Sequence, residues 1–216
     1  MKAYNGFYNR YVKRILGIVI AIPCFFILIP VYLIIGIAIL IEDGGPVFYR
    51  PLRGGYKGRS FRIFKFRTMV KNADQIGGGT TSKDDPRITK VGNFLRKTKL
   101  DETANLINIL IGTMSFVGPR PELLRYTEAY NEDEKCILEV RPGITDFSSI
   151  EFINLDEIVG AVNADEMYEK YVLKKKNELR IKYAEQVSFK TDVAVFFQTV
   201  GKVLQKAVRV IFKRKA

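Results

Sequence analysis

The chain has 216 residues, 35 lysines and arginines against 23 aspartates and glutamates, no histidine, and a net charge of +12. This length fits one moderately large domain, or one domain with an added segment, and the charge favours an anionic partner: nucleic acid, an anionic membrane surface or a phosphorylated ligand. The lack of histidine removes the commonest general base and metal ligand, so acid–base or metal work falls to carboxylates, lysines and arginines.

Residues 15–41 carry no charge, and this run of 27 exceeds the roughly 20 residues needed to cross a bilayer. Lys2, Arg10, Lys13 and Arg14 precede it, as in a signal peptide. The apolar run is too long for one, however, and no small-x-small cleavage site follows it. Pro23 and Pro30 each remove a backbone donor and crowd the preceding turn, so a helix there should bend or break. Basic residues lie on both flanks, with Arg50, Arg53, Lys57, Arg59 and Arg62 after the run. A simple span would leave one basic flank outside, against the positive-inside tendency. A helix that enters, breaks near Pro30 and returns to the same face resolves the conflict; a tilted, proline-kinked span is the alternative. Cys24 and Cys136 lack metal-like spacing, which favours a reduced, cytosol-facing chain.

Residues 41–46 read as a turn, 47–50 as a short strand, 52–59 as a glycine-rich basic turn and 60–69 as a second strand. In that strand Phe61, Ile63, Phe64 and Phe66 alternate with Arg62, Lys65 and Arg67, giving one face for a core or bilayer and one for water or phosphate. Basic residues among aromatics also occur in nucleic-acid binders, a reading that the long membrane block argues against. Residues 72–86 form a polar loop without the Gly-Lys-Ser/Thr of a phosphate loop. Residues 87–100 have Ile88, Val91, Phe94 and Leu95 on one helical face and Arg87, Lys90, Arg96, Lys97 and Lys99 on the other. That pattern fits a helix lying on anionic lipid, with a solvated basic face as the alternative.

Asp101 and Glu102 then follow this basic cluster and precede an apolar run that ends in Gly118-Pro119-Arg120-Pro121. Carboxylates among cations stay ionised and can hold a divalent metal or attack an electrophile, and an arginine fixed in a rigid turn can grip phosphate with two hydrogen bonds. Acidic residues starting an amphipathic helix also complement its dipole. Residues 122–140 are helix-like. Arg141-Pro142-Gly143-Ile144-Thr145 is a second Arg-Pro turn, placed to converge with the first on one anion. Residues 156–183 form a mixed-charge helix, and 188–210 a helix that is either core or surface-binding.

Taken in order, the chain resembles the monotopic phosphoglycosyl transferases, bacterial sugar transferases that include the undecaprenyl-phosphate sugar-phosphate transferases. The resemblance is carried by Lys13-Arg14, Gly45-Pro46-Val47-Phe48, Arg53-x-Gly55, Lys65 to Met69, Leu100-Asp101-Glu102, Met114 to Pro121 and Arg141 to Thr145. It implies an α/β fold, mainly helical with a small β-hairpin, in a membrane-associated monotopic domain with an N-terminal re-entrant helix and interfacial amphipathic helices. Residues 1–45 would be the membrane segment and 46–216 the cytoplasmic catalytic domain. The implied reaction moves a phosphosugar from a UDP-sugar to polyprenol phosphate and releases UMP, with Mg²⁺ required. Asp101 would be the nucleophile, and Asp101 with Glu102 would meet the metal. Arg96 would face the phosphates, and Arg120 and Arg141 would hold the nucleotide or phosphosugar. Lys65, Pro119 and Pro121 complete the substrate-binding set, and Pro30 marks the membrane break. Anionic lipids are implied partners and nucleic acid is not. The sugar and the oligomeric state are left open. The chain departs from the family pattern at Gly17, at Ile29 and after Thr145, where Asp146 to Phe152 stands in a region expected to contact sugar or nucleotide. The rival reading is a membrane-tethered basic scaffold or nucleic-acid binder without catalysis.

Overall fold

A computed structural model describes residues 2–76, 85–155, 158 and 164–213. Part of the predicted polar loop, 77–84, and part of the mixed-charge helix, 156–157 and 159–163, lie outside them. After a short π-helical entry at Tyr8–Val12, helix α1 runs over Lys13–Asp43. The expected helix-break-helix is replaced by one continuous helix with both prolines inside it. A proline forfeits one hydrogen bond and crowds one turn, which bending can absorb, whereas a break would expose several backbone groups in apolar surroundings.

One stripe of α1 faces the body: Lys13, Gly17 and Ala21 are buried near its start and Ile35, Gly36 and Ile39 near its end, with Cys24, Phe25, Leu28, Val31 and Tyr32 partly buried between them. Its spacing of about four residues is the helical period. Ala21 packs with Phe61, Ile63, Leu106, Ile109 and Met114, whereas Ile35 and Ile39 pack with Phe66, Leu95 and Ala104. Gly17, where the family pattern expects Asp, lies against Ile109, whose side chain an added Cβ would meet at 3.7 Å. The opposite face stays open, with Ile15, Val19, Phe26, Ile27, Leu33, Ile34, Ile37 and Ile41 among its exposed side chains.

The predicted strand pair is a long hairpin interrupted in the middle. Strands β1 (Phe48–Tyr49) and β4 (Lys65–Phe66) pair antiparallel with Phe48 opposite Phe66, and β2 (Leu52–Arg53) pairs with β3 (Phe61–Arg62). Part of the expected basic turn is therefore strand, and the turn itself narrows to the 3₁₀ segment Tyr56–Gly58. The alternation holds for Phe61, Ile63 and Phe66, which are buried, but Arg67 is not on the open face. Its guanidinium is buried and bridges the carbonyls of Asp43, Gly44 and Gly45 at the exit of α1, where an inward cation is satisfied by an orphan helix end.

The remaining elements are α2 (Ala73–Ile76), α3 (Lys90–Thr98), α4 (Asn105–Ile111), β5 (Ser115–Val117), α5 (Leu124–Glu128), β6 (Gly143–Thr145), α6 (Phe147–Glu151), α7 (Ala164–Tyr168), α8 (Lys174–Gln186) and α9 (Phe189–Lys213). On α3, Leu95 is in the core and Val91 packs against it, whereas Phe94 is exposed, so the predicted apolar face is divided between core and surface. On α9, Val195 is buried and Phe189, Phe196, Phe197 and Leu204 are exposed. This settles the C-terminal helix as a surface element with an apolar outer face. The fold is mainly helical with small strand pairs.

Candidate active site

Four supports meet at the two carboxylates. Thr89 caps α3, its hydroxyl accepting from the Gly92 amide at 2.9 Å, and Gly92 lies so close to the Thr68 carbonyl that an added Cβ would fall 2.0 Å from it. At the other end of α3, Lys99 adopts the left-handed conformation (φ 59°) and turns the chain into the 3₁₀ segment Leu100–Ala104, which carries Asp101 and Glu102. From beneath, the Tyr32 hydroxyl on α1 donates to the Thr103 carbonyl at 2.7 Å. From the side, Asn108 on α4 accepts from the Phe64 amide and donates to the Arg62 carbonyl, fixing the hairpin against α4 and bringing Lys65 to the dyad.

The fourth support is the parallel pair β5–β6, in which Ser115 lies opposite Gly143 and Val117 opposite Thr145. The pair brings the two Arg-Pro turns together, with the Gly143 amide donating to the Pro119 carbonyl at 3.0 Å. Gly118 (φ 159°) and Gly143 approach so closely that a Cβ on either would collide with the backbone of the other turn. Pro119 and Pro121 hold the loop that presents Arg120. The Arg120 guanidinium contacts Glu102 and donates to the Ile144 carbonyl at 3.0 Å, and its amide donates to the buried Asp146 carboxylate at 3.3 Å.

The dyad is electrostatically split. Glu102 receives both Arg120 and Lys65, the latter at 3.0 Å. Burial opposes its charge, but these two cations outweigh burial and hold the Glu102 carboxyl well below the usual carboxylate range. The Arg120 guanidinium is raised in turn, chiefly by Glu102. Asp101 lies beside this cluster with Oδ1 buried and without a hydrogen-bond partner. Burial and then the Glu102 charge push its carboxyl upward, against Lys65, Lys99 and Arg96. A buried, unpartnered carboxylate oxygen is costly to keep and more basic than an exposed one, which suits a nucleophile or a metal ligand. The two adjacent carboxyls are thus driven in opposite directions, Asp101 upward and Glu102 downward.

The other predicted site residues divide. Arg96 donates through Nε to the Thr68 hydroxyl at 2.8 Å, and its charge is felt at Asp101. Arg141 does not join Arg120 as expected: its Nε donates to the Gly112 carbonyl at 3.3 Å and its guanidinium lies 4.7 Å from the Tyr56 ring. The two turns converge through backbone while their side chains part, because the end of α4 offers Arg141 a carbonyl partner. Pro30 lies within α1.

A cleft of about 250 Å³ opens beside the dyad, lined in part by Arg53, Lys65, Arg120, Glu122, Tyr168 and Lys176. Sequence reasoning missed its far wall. There Glu122 Oε1 accepts from Arg180 at 2.6 Å and from the Tyr168 hydroxyl, with Lys176 at 3.9 Å. Their separations of 46 to 58 residues give no local signal, and only Glu122, directly after Pro121, stood near a motif. Asp146 was noted only as a family departure. It is fully buried, caps α6 through the Ser149 amide and supports the Arg120 loop, so it is a structural acid rather than a substrate contact.

Among the described residues no cluster of three or more acidic or cysteine side chains could hold a metal. A magnesium ion typically takes one or two carboxylates and fills its shell with water and phosphate oxygens. The unpartnered oxygen of Asp101 fits that limited demand, and Glu102 is engaged by cations through Oε1.

A family profile described as "Bacterial sugar transferase" matches residues 8–206, which include every site residue just described. The chain belongs to that family. Among other members, the UDP-glucose:undecaprenyl-phosphate glucose-1-phosphate transferase of Escherichia coli (strain K12) is 37% identical over 198 residues, covering 90% of this chain and 40% of that protein. The UDP-N-acetylgalactosamine-undecaprenyl-phosphate N-acetylgalactosaminephosphotransferase of Aeromonas hydrophila is 33% identical over 201 residues, covering 90% and 44%. The sugar transferase EpsL of Bacillus subtilis (strain 168) is 37% identical over 164 residues, covering 76% and 73%. The chain thus spans less than half the length of the first two of these bacterial sugar transferases and most of the third.

Proposed function

We propose that this bacterial sugar transferase moves a phosphosugar from a UDP-sugar to polyprenol (undecaprenyl) phosphate, releasing UMP, as the first membrane step in building a capsule, O-antigen or other glycan. The observation that carries the reading is the buried, unpartnered Oδ1 of Asp101 beside a Glu102 that Arg120 and Lys65 keep ionised. The names of the relatives supply the donor and acceptor classes.

In this reading an Asp101 oxygen attacks the β-phosphorus of the UDP-sugar. The bond from that phosphorus to the oxygen bridging it to the α-phosphate breaks, and the electron pair leaves with UMP. An oxygen of the polyprenol phosphate then attacks the same phosphorus. The acyl-phosphate bond to Asp101 breaks, giving polyprenyl-diphosphate-sugar and the free carboxylate. No proton transfer is required, which suits a chain without histidine. Arg120 and Lys65 are placed to balance charge developing at the phosphates, while Glu102 fixes their orientation. Mg²⁺, which Asp101 with Glu102 would hold when bound, supplies charge neutralisation on the diphosphate. The exposed apolar faces of α1 and α9 support attachment to a membrane, which in this reading is the inner membrane at its cytoplasmic face.

The test is UMP release by detergent-solubilised protein from a panel of UDP-sugars with polyprenol phosphate and Mg²⁺, beside Asp101→Asn. The expected result is release with a defined sugar and a loss of at least about 10³-fold in the variant. Release that persists in Asp101→Asn sinks the covalent mechanism. Absence of release with every sugar, from folded protein, sinks the donor assignment.

A further inference from the structure

The far wall of the cleft holds two buried cations, Lys176 and Arg180, against one carboxylate in contact, Glu122, with the buried Asp146 carboxylate acting on both from farther off. Glu122 already has the guanidinium of Arg180 at 2.6 Å and the Tyr168 hydroxyl on the same oxygen. Lys176 is a second buried cation, 6% exposed, and its ammonium stands 3.9 Å from that oxygen. Its one hydrogen bond among the described residues is a long one, 3.3 Å to the Tyr168 hydroxyl. An ammonium has three N–H donors, so Lys176 has capacity in reserve. A desolvated cation needs a partner, and Lys176 has the Tyr168 ring face at 4.8 Å and a carboxylate it shares with a better-placed arginine. Burial, and then the Arg180 charge, bring the Lys176 amine down to about 8, which leaves the ammonium the main form near neutral pH. Across the cleft stand Arg53, Lys65 and Arg120, which leaves the lining rich in cations around about 250 Å³ of space.

We infer that Lys176 is a phosphate ligand, and that this cleft takes the diphosphate of the nucleotide donor between Lys176 on one wall and Lys65 with Arg120 on the other. A phosphate supplies the anionic oxygens that Glu122 cannot share further, and it joins the far wall to the dyad. The donor is favoured over the lipid-borne phosphate because the far wall is built from α7, α8 and the loop before α5, whereas the exposed apolar face lies on α1 and α9. The inference rests on the transferase reading given above.

The test measures binding of UDP, pyrophosphate and uridine to the full chain in detergent, with wild type, Lys176→Gln and Lys176→Arg, and follows thermal unfolding of each. Lys176→Gln should weaken UDP and pyrophosphate by about tenfold or more and leave uridine unchanged, with Lys176→Arg recovering most of the loss. A purely structural lysine would instead lower the melting temperature and weaken all three ligands alike, which overturns the inference. So does a variant that binds UDP as wild type does but has a raised KM for polyprenol phosphate, since the phosphate is then the lipid's. Wild type that turns over UDP-sugar beside an unaltered Lys176→Gln sinks the inference alone. Wild type that neither binds UDP nor releases UMP removes the transferase reading and the inference with it.

Discussion

Asp101 and Glu102 are neighbours in sequence and opposites in environment. Glu102 Oε1 is engaged by Arg120 and Lys65, whereas Asp101 Oδ1 is buried alone. Replacing Glu102 with Gln removes the anion that both cations face. The expected cost is on the order of 2 kcal/mol, less than for a fully buried pair, because Arg120 and Lys65 keep partial exposure. Thermal unfolding and UMP kinetics should therefore both decline in Glu102→Gln, while Asp101→Asn should lose turnover and keep its melting temperature. A Glu102→Gln protein of unchanged stability and rate would show that the two cations do not need it. Glu122 gives a second residue-scale prediction. Burial opposes its charge, but Arg180, Lys176 and the Tyr168 hydroxyl hold its carboxyl at about 2, below the ordinary 4.5. The folded value is depressed, so the stabilisation is fully present above pH 4.5 and is lost as the pH falls from there to about 2. It amounts to about 3 kcal/mol. Melting temperature followed from pH 6 to pH 3 should fall more steeply in wild type than in Glu122→Gln, which starts lower. Equal slopes would mean that Glu122 is not held this way.

At the scale of elements, α3 is the lever that sets the dyad. It is capped by Thr89, pinned through Gly92 to the Thr68 carbonyl and gripped at its start by Glu42 of α1, which accepts from the Lys90 and Val91 amides at 2.7 and 3.0 Å. A methyl at Gly92 has no room without moving backbone, so Gly92→Ala should cost about 3 kcal/mol and lower turnover by shifting Arg96 and the 3₁₀ segment. Thr89→Ala, which removes one cap bond, should cost only about 1 kcal/mol. Melting curves of the two variants test the ranking, and the reverse order would place the weight of α3 on its cap rather than its packing. Much of this frame was legible in the sequence. The apolar run, the strand pair, the dyad and the Arg-Pro turns each have local signatures of period, charge or turn chemistry. Period alone could not show that Arg67 turns inward, because its partners are the carbonyls at the end of α1, over 20 residues away. Nor could it separate Arg120 from Arg141: both follow the same local pattern, and tertiary acceptors send one to Glu102 and the other to Gly112. The Glu122–Arg180 wall was hidden for the same reason.

For the molecule as a whole, the decisive geometry is that both ends of α1 are fastened to one body. At its start Lys13 forms an ion pair with Asp192 of α9 at 2.8 Å, and at its end Glu42 holds α3. Between them the buried stripe contributes to the two cores that carry the hairpin and the dyad. A helix of 31 residues is about 46 Å long, well over the roughly 30 Å of a bilayer's hydrocarbon. If it stood across the membrane, the body packed along its length would have to enter the hydrocarbon with Glu102, Arg120 and Lys65, at a cost of several kcal/mol for each charge. Attachment through the open face of α1 avoids that cost and keeps the residues before and after the helix in one compartment. Single cysteines at the exposed positions Lys2 and Arg59, in a Cys24→Ser, Cys136→Ser background, should therefore react with a membrane-impermeant maleimide from the same side, only after the membrane is opened or inverted. Labelling of the two positions from opposite sides would require α1 to separate from the body along most of its buried stripe, and would overturn the one-sided attachment.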